Sequence, residues 1–321
     1  MPTNFRINFK PVLWVAGVFL LLAVHSVAAA EVAEPATLEY QLSANAVDRT
    51  NGLTDINEAM REVSHWSYGI YTTTNLALLT NAVWSANFWL KGVQGLSATC
   101  IGYSNGLGGQ GLITMVSPRH YLCATHMHPE GQVAAFLDTN NVFHWRRTLQ
   151  RVDVGNDTTV GILNADLPPS VGFLPMLPAD YTNYLPVAGS EPVQGIGMNQ
   201  GLQLFGEPMV FAPGPMVFWD DRRTALSGLT TNWNMALRGG DSSNPAMLLI
   251  SNQLVLVSHN YFANGGPNYA DQIDAINRKM HYLSTNNGVA SDYQLTTIVL
   301  TNWPEIGTAG QTSGKNLDSG Q

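Results

Sequence analysis

Charged residues and cysteines are both scarce in this chain of 321 residues. Asp, Glu, Lys and Arg make up 12% of the sequence and hydrophobic residues 45%, which excludes a disordered chain and is ordinary for a β-rich globular protein. Lys and Arg number 15 against 23 Asp and Glu, so the formal net charge is −8. Because a protein that binds nucleic acid needs a basic face, this composition argues against a nucleic-acid partner.

The two cysteines are Cys100 and Cys123. An oxidising compartment permits a disulfide between them. They lie on predicted strands that flank a third, Gly111 to Val116, and strands separated in this way are about 10 Å apart, beyond the reach of a disulfide. The alternatives are a disulfide and two buried thiols that pack as small hydrophobic residues.

The first 30 residues have the pattern of a secretory signal peptide. Arg6 and Lys10 precede an apolar run, Val12 to Val24, and Ala28 to Ala30 supply a small-residue cleavage site. The alternative is an uncleaved membrane anchor, although the apolar run is short for spanning. Cleavage would remove two basic residues and take the net charge from −8 to −10. We therefore expect a secreted or periplasmic protein that is free of the membrane after cleavage.

Short apolar runs separated by turns dominate the rest of the chain and predict an all-β fold. They form two groups on either side of a proline-rich crossing near residues 167–186. Residues 31–95 are an N-terminal extension or pro-segment with helical character at Asp55 to Val63. Apolar residues at helical spacing predict a helix over Asp271 to Leu283, and residues 286–321 are a C-terminal tail whose end, Gly307 to Gln321, we expect to be disordered.

Three local motifs together have the composition of a nucleophilic site. Gly240-Asp241-Ser242-Ser243-Asn244-Pro245 places a serine in a glycine-bearing turn between apolar runs. A serine that attacks a carbonyl needs a base within hydrogen-bond reach and backbone N–H groups aimed at the developing oxyanion. Candidates for the base and its partner occur upstream, in Ala124-Thr125-His126 and in Asn156-Asp157 followed by a short apolar strand.

In the chain order His126, Asp157, Ser242, these motifs resemble the trypsin/chymotrypsin-like serine peptidases, as an exported, bacterial-type member. Two further motifs agree: Leu254 to Ser258 is similar to the strand that lines the family's cleft, and Gly266 to Tyr269 is similar to its pocket wall. The resemblance covers roughly residues 96–285. It implies two six-stranded antiparallel β-barrels with the site between them, a C-terminal helix and a short N-terminal helical extension.

The resemblance also implies a role for each matching residue. Ser242 is the nucleophile, His126 the general acid and base, and Asp157 the group that orients His126, with the N–H groups of Gly240 and Ser242 as the oxyanion hole. The substrate is a peptide or protein, no cofactor is needed, and a monomer is expected. The family positions of the substrate pocket are occupied by Ala236, Ser258, His259 and Asn260. Because Ala236 carries no charge, a neutral substrate side chain is expected rather than a basic one.

The sequence departs from the family pattern at three places. Ser243 and Asn244 stand where relatives have glycines, and Ser does not easily adopt the positive φ that Gly tolerates. Met127 stands where many relatives have a cysteine. The family's Ile-Val-Gly-Gly N-terminus is absent near residue 96, so activation by that route is not expected.

Other readings of the same residues stay open at this stage. Asp153 and Asp166 compete with Asp157 as the partner of His126. A metal-dependent hydrolase could use His126 and His128, with Glu130 close by. A catalytically inactive homologue could keep the double barrel as a peptide-binding module, a reading that the Ser243-Asn244 pair favours.

Overall fold

Fifteen short strands, two α-helices and three 3₁₀ helices form the regular structure of the described residues. The computed structural model describes residues 36–50, 70–72, 82–86, 88–104, 106–107, 111–187, 192–212, 214–219, 239–261 and 265–306. All of them belong to one compact unit, Pro35–Gln321. Four features predicted from sequence lie outside the described residues: the signal peptide, the helical segment Asp55 to Val63, Ala236, and the end of the tail, Gly307 to Gln321.

The first group of strands curls into a closed barrel. Its strands are β3 (Gly102–Tyr103), β4 (Gly106–Leu107), β5 (Thr114–Met115), β6 (His120–Ala124), β7 (Val133–Leu137), β8 (Phe143–Gly155) and β9 (Thr158–Leu163). They are antiparallel in the order β4-β3-β7-β8-β9-β6-β5. The backbone just before β3 closes the sheet, because Thr99 pairs with Thr114 and Cys100 N donates to Ile113 O over 3.0 Å. Six strands form the closed wall, and β4 is a two-residue addition.

The second group forms a six-stranded antiparallel sheet. Its strands are β10 (Val193–Met198), β11 (Leu204–Phe211), β12 (Met216–Trp219), β13 (Pro245–Ile250), β14 (Gln253–His259) and β15 (Gly265–Pro267). Their order is β14-β13-β10-β11-β12-β15. A backbone bond of 3.1 Å from Tyr261 N to Gly265 O joins the two edges. The fold is therefore the predicted chymotrypsin-like pair of antiparallel barrels. A further two-stranded sheet pairs β1 (Tyr71–Thr72) with β2 (Val83–Trp84).

The helices pack on the outside of the barrels. The C-terminal helix, α2 (Ile273–Asn286), follows a 3₁₀ turn at Tyr269–Gln272, and Ile276, Met280 and Leu283 are buried, as their helical spacing predicted. It packs against β8 and β9. The N-terminal helix, α1 (Leu38–Thr50), packs on β10 and β13 of the second barrel. The other two 3₁₀ helices span Leu96–Ala98 and Tyr181–Asn183. No helix among the described residues is long and apolar enough to cross a membrane.

Two strands are longer than their hydrophobic patterns predicted. The apolar run Val142 to Trp145 predicts only a short strand, whereas β8 runs for 13 residues, most of whose later side chains are polar and partly exposed. The apolar runs Leu202 to Phe205 and Met209 to Phe211 predict two separate strands, but β11 joins them through Gly206-Glu207-Pro208, and Glu207 is buried although it is an acidic residue. Polar residues therefore interrupt the hydrophobic pattern within these strands, so the pattern does not predict their full length. Backbone pairing with the neighbouring strands of the sheet decides it instead.

Both cysteines are free thiols buried in the hydrophobic core. Burial raises the pKa of the Cys100 thiol to about 12 and raises that of Cys123 as well, so neither forms a thiolate near neutral pH. Ile113 N donates to Cys100 Sγ over 3.3 Å. The sequence left open a disulfide or two buried thiols, and the structure shows two buried thiols without a disulfide between them.

Glu207 is a buried carboxyl group within the second barrel, where its side chain fills space beside Gly197. A Cβ atom at Gly197 would lie 2.4 Å from Glu207 Oε2. Within the described part of the chain this oxygen has no hydrogen-bond partner. Burial, and then the charge of Asp241, raise the pKa of Glu207 from 4.5 to about 8.

We predict that this carboxyl group makes stability depend on pH. Between its unfolded pKa of 4.5 and its folded pKa of about 8, the folded state binds more protons than the unfolded state. The free energy of unfolding contributed by Glu207 therefore falls as pH rises through that window. Urea titrations of the wild type and Glu207→Gln from about pH 5 to pH 8 should show the variant gaining stability relative to wild type. Two parallel stability curves would contradict the prediction.

Candidate active site

The turn between β8 and β9 places Asp157 beside His126. Asn156 and Asp157 have φ of 51° and 58°, and a two-residue hairpin turn of this kind requires positive φ at both central positions. Asn and Asp tolerate that conformation better than most residues. Because β6 pairs with β9 through Ala124 and Thr158, the chain just beyond β6 lies next to this turn. His126 follows Ala124 by two residues and so meets Asp157.

The two side chains form a close pair. His126 Nδ1 lies 3.0 Å from Oδ1 and 2.9 Å from Oδ2 of Asp157. The backbone N–H of His126 also donates to Oδ1 over 3.2 Å. The His126 side chain is 42% exposed and that of Asp157 only 9%. The imidazole therefore reaches solvent while the carboxylate behind it is shielded.

A second histidine approaches the same carboxylate from the second barrel. His259 Nε2 lies 3.6 Å from Asp157 Oδ2. Burial pushes the pKa of Asp157 upward, but the neighbouring imidazoles of His259 and His126 outweigh it, and the pKa lies below its ordinary 3.8. Asp157 is therefore ionised at neutral pH.

The turn that carries Ser242 is anchored on both sides. Asp241 is buried, and its Oδ1 accepts from Gln200 N over 2.9 Å. Gly240 has φ of 104°, a conformation open to glycine at little cost. Ser242 itself is partly exposed. No hydrogen bond joins its hydroxyl to His126 in the described residues, and such bonds often tighten only when substrate binds.

Ser243 ties this turn to the first barrel. Its hydroxyl donates to Leu112 O over 2.9 Å and accepts from Ala124 N over 3.0 Å. Its φ is 75°, in the left-handed region that the glycine of related turns adopts easily. A serine is therefore accommodated here with backbone strain, and two buried hydrogen bonds offset that strain. Because Ala124 precedes His126 by two residues, the contact brings the Ser242 turn to the histidine.

The competing acidic residues are engaged elsewhere. Asp153 Oδ1 accepts from the Thr125 hydroxyl over 3.1 Å and from Gly155 N over 3.0 Å. Asp166 pairs with Arg119 and accepts from the Tyr293 hydroxyl over 2.5 Å. The structure therefore brings Asp157, rather than Asp153 or Asp166, to His126.

His128 and Glu130 do not join His126 in a metal-ligand group. Both contact the guanidinium group of Arg151, which also donates to Thr125 O over 2.6 Å. A fixed positive charge at this position opposes a bound cation. The described residues contain no group of three or more His, Cys, Asp or Glu side chains that could hold a metal ion.

The described residues predicted to form the substrate pocket are all buried. Ser258 donates to His259 O over 3.1 Å, and Asn260 Nδ2 donates to Met198 O over 3.1 Å. Gly266 lets β15 approach this segment, since a Cβ there would lie 1.9 Å from His259 O. With Ala236 outside the described residues, the pocket stays a prediction.

The sequence patterns do not predict the contact of His259 with Asp157 or that of Tyr269 with His259. The resemblance implies only that His259 belongs to the substrate pocket and that Tyr269 ends the segment similar to the pocket wall. A weak signal is available, since Ser258 and then His259 directly follow the apolar run Leu254 to Val257 and extend a buried strand with polar residues. The pairing itself joins residues about a hundred positions apart, which no local pattern reveals.

Comparison with known proteins yields structural similarity alone. No protein-family model and no curated protein matches the chain. Among solved structures, it is similar to kallikrein-related peptidase 10, with 17% identity, a TM-score of 0.37, and coverage of 58% of this chain and 95% of the other. It is also similar to kallikrein-related peptidase 10 in complex with Zn²⁺, with 14% identity, a TM-score of 0.39, and the same coverage.

We predict that Ser243→Ala destabilises the protein more than Ser243→Gly does. Both variants leave the buried Leu112 carbonyl and Ala124 N–H unpaired, a loss of about 1–3 kcal/mol. Only alanine keeps the Cβ atom at positive φ, and relief of that strain should return about 1 kcal/mol to the glycine variant.

Urea unfolding of both variants measures this difference, with Ser104→Ala, at an exposed serine outside the site, as the matched control. Wild-type stability in Ser243→Ala would show that the two hydrogen bonds contribute nothing.

Proposed function

We propose that the chain is an exported serine endopeptidase that hydrolyses peptide bonds through an acyl-enzyme. The observation that supports it best is the His126–Asp157 pair at the junction of the two barrels, tied to the Ser242 turn through the contact of Ser243 with Ala124. The site thus contains the three groups that such a reaction needs. The partly exposed serine corresponds to the nucleophile, the imidazole to the base, and the shielded carboxylate to the group that orients the base.

The tautomer of His126 suits the role of general base. An ionised carboxylate only accepts hydrogen bonds, so the neutral imidazole carries its proton on Nδ1, facing Asp157. Nε2 is then unprotonated and able to take the proton of the Ser242 hydroxyl. Asp157 also stabilises the imidazolium that results.

The reaction follows from these roles. Ser242 Oγ attacks the substrate carbonyl, and His126 delivers the proton to the leaving amine as the C–N bond breaks. Water then hydrolyses the acyl-enzyme by the same steps in reverse. In the described residues the N–H groups of Gly240 and Ser242 donate to no protein acceptor. They are thus available to donate to the developing oxyanion. Removing one such donor typically lowers kcat by a factor of about 10²–10³.

We predict that a fluorophosphonate labels Ser242 and that Ser242→Ala abolishes both labelling and peptide hydrolysis. The expected loss in kcat is about 10⁶, the value for removing a triad serine. Mass spectrometry of the labelled peptide identifies the modified residue, and Ser104→Ala serves as the control that keeps wild-type labelling.

Two other outcomes distinguish the rival functions. Peptide binding without labelling or turnover would support the inactive binding module. Hydrolysis that survives Ser242→Ala and is abolished by a chelator would support a metal-dependent hydrolase.

Export forms part of this proposal, and it predicts a mature protein that lacks Met1 to Ala30. The reason is the order of a charged start, an apolar core and the small residues Ala28 to Ala30. Mass spectrometry of the protein recovered outside the cytoplasm should find an N-terminus near Glu31. A protein in the cell envelope that retains Met1 would indicate a membrane anchor instead.

A further inference from the structure

His259 brings a buried imidazole from the second barrel to the carboxylate of the first. It is the last residue of β14 and is 2% exposed. Its Nε2 lies 3.6 Å from Asp157 Oδ2, beyond the roughly 2.7–3.2 Å of an ordinary N–H···O hydrogen bond. In the described part of the chain this nitrogen has no hydrogen-bond partner, and the Asp157 carboxylate is the acidic group beside it. Because a buried N–H group is nearly always paired, Asp157 is the acceptor available to it.

Tyr269 contacts the other ring nitrogen of His259. Its hydroxyl hydrogen-bonds to His259 Nδ1. Burial lowers the pKa of His259 and raises that of Tyr269, so both are neutral near pH 7. A neutral imidazole has one N–H, and the carboxylate can only accept. The consistent arrangement has Nε2–H facing Asp157 and the Tyr269 hydroxyl donating to Nδ1.

These contacts hold the Asp157 carboxylate on both sides. The backbone N–H of His126 donates to Oδ1, and His259 faces Oδ2. Between these two contacts, both oxygens lie within 3.0 Å of His126 Nδ1. Without His259, rotation about the Asp157 side chain would be limited on one side only.

We propose that His259, held in its Nε2–H tautomer by Tyr269, is a positioning residue that orients Asp157 toward His126. This inference rests on the proposed peptidase function. In this role the His259 ring faces Asp157 and Tyr269 rather than the predicted substrate pocket. It exchanges no proton, and its effect on the reaction passes through the carboxylate.

The test compares two substitutions that differ in one hydrogen-bond donor. His259→Leu removes the donor and keeps a buried side chain, whereas His259→Gln keeps an N–H at the same distance along the side chain. We expect kcat to fall about 10- to 100-fold in His259→Leu, by analogy with the loss that follows removal of a group that orients a metal-binding side chain. KM should stay unchanged, and His259→Gln should recover much of the loss.

The matched control is His120→Leu. His120 is also a buried histidine, held by Ser117 at 3.0 Å and Ser284 at 3.2 Å, with no contact to Asp157. It should lose stability without the same fall in kcat. Equal falls in kcat in the two leucine variants would reduce the effect of His259 to general destabilisation and overturn the proposal.

Nuclear magnetic resonance gives a readout that needs no activity and can be made in Ser242→Ala protein. The ¹⁵N shifts of the His259 ring should report a proton on Nε2, and Tyr269→Phe should allow the other tautomer. Removing the His259 imidazole beside the carboxylate should raise the pKa of Asp157, which its ¹³C carboxyl signal measures. A proton on Nδ1 of His259, or an Asp157 titration unaffected by His259→Leu, would overturn the proposal.

Fluorophosphonate labelling separates this inference from the function on which it rests. Failure to label Ser242 in the wild type would overturn the peptidase function, whatever the state of His259. Labelling that is equally fast in wild type and His259→Leu would leave the peptidase intact and overturn the positioning role.

Discussion

A single buried hydroxyl group joins the two halves of the candidate site. Ser243 bonds to Leu112 and Ala124 in the first barrel, while its own backbone N–H donates to Asn260 O in the second over 2.8 Å. The rest of the site depends on this contact, because the proposed nucleophile and base belong to different barrels. Serine adopts positive φ with backbone strain, whereas glycine would not. In return, the Ser243 hydroxyl makes hydrogen bonds to the first barrel that a glycine has no side chain to make.

The second connection between the barrels is electrostatic. Asp157 comes from a tight turn of the first barrel, and His259 and Tyr269 come from the second. A shielded carboxylate with one donor would be costly to bury, whereas several donors keep it ionised and in one orientation. The same groups that stabilise the barrel interface therefore prepare the carboxylate for His126.

Much of the fold followed from local pattern. Alternating apolar runs and turn residues predicted most strands, and helical spacing predicted the buried face of α2. The pattern failed where strand residues are polar, in the long β8 and at Glu207 of β11. Backbone pairing with neighbouring strands decides those positions, and a pairing partner far along the chain leaves no local signal.

The sequence by itself determined the residue types and their order: a serine in a glycine turn, a histidine after an apolar strand, and an Asn-Asp pair able to form a left-handed turn. Tertiary structure decided which acidic residue meets His126, because strand register brings Asp157 to β6 and commits Asp153 and Asp166 to other partners. It also decided the roles of Ser243 and His259. Those roles arise only where the two barrels meet, since each of these side chains contacts a group more than a hundred residues away in the chain.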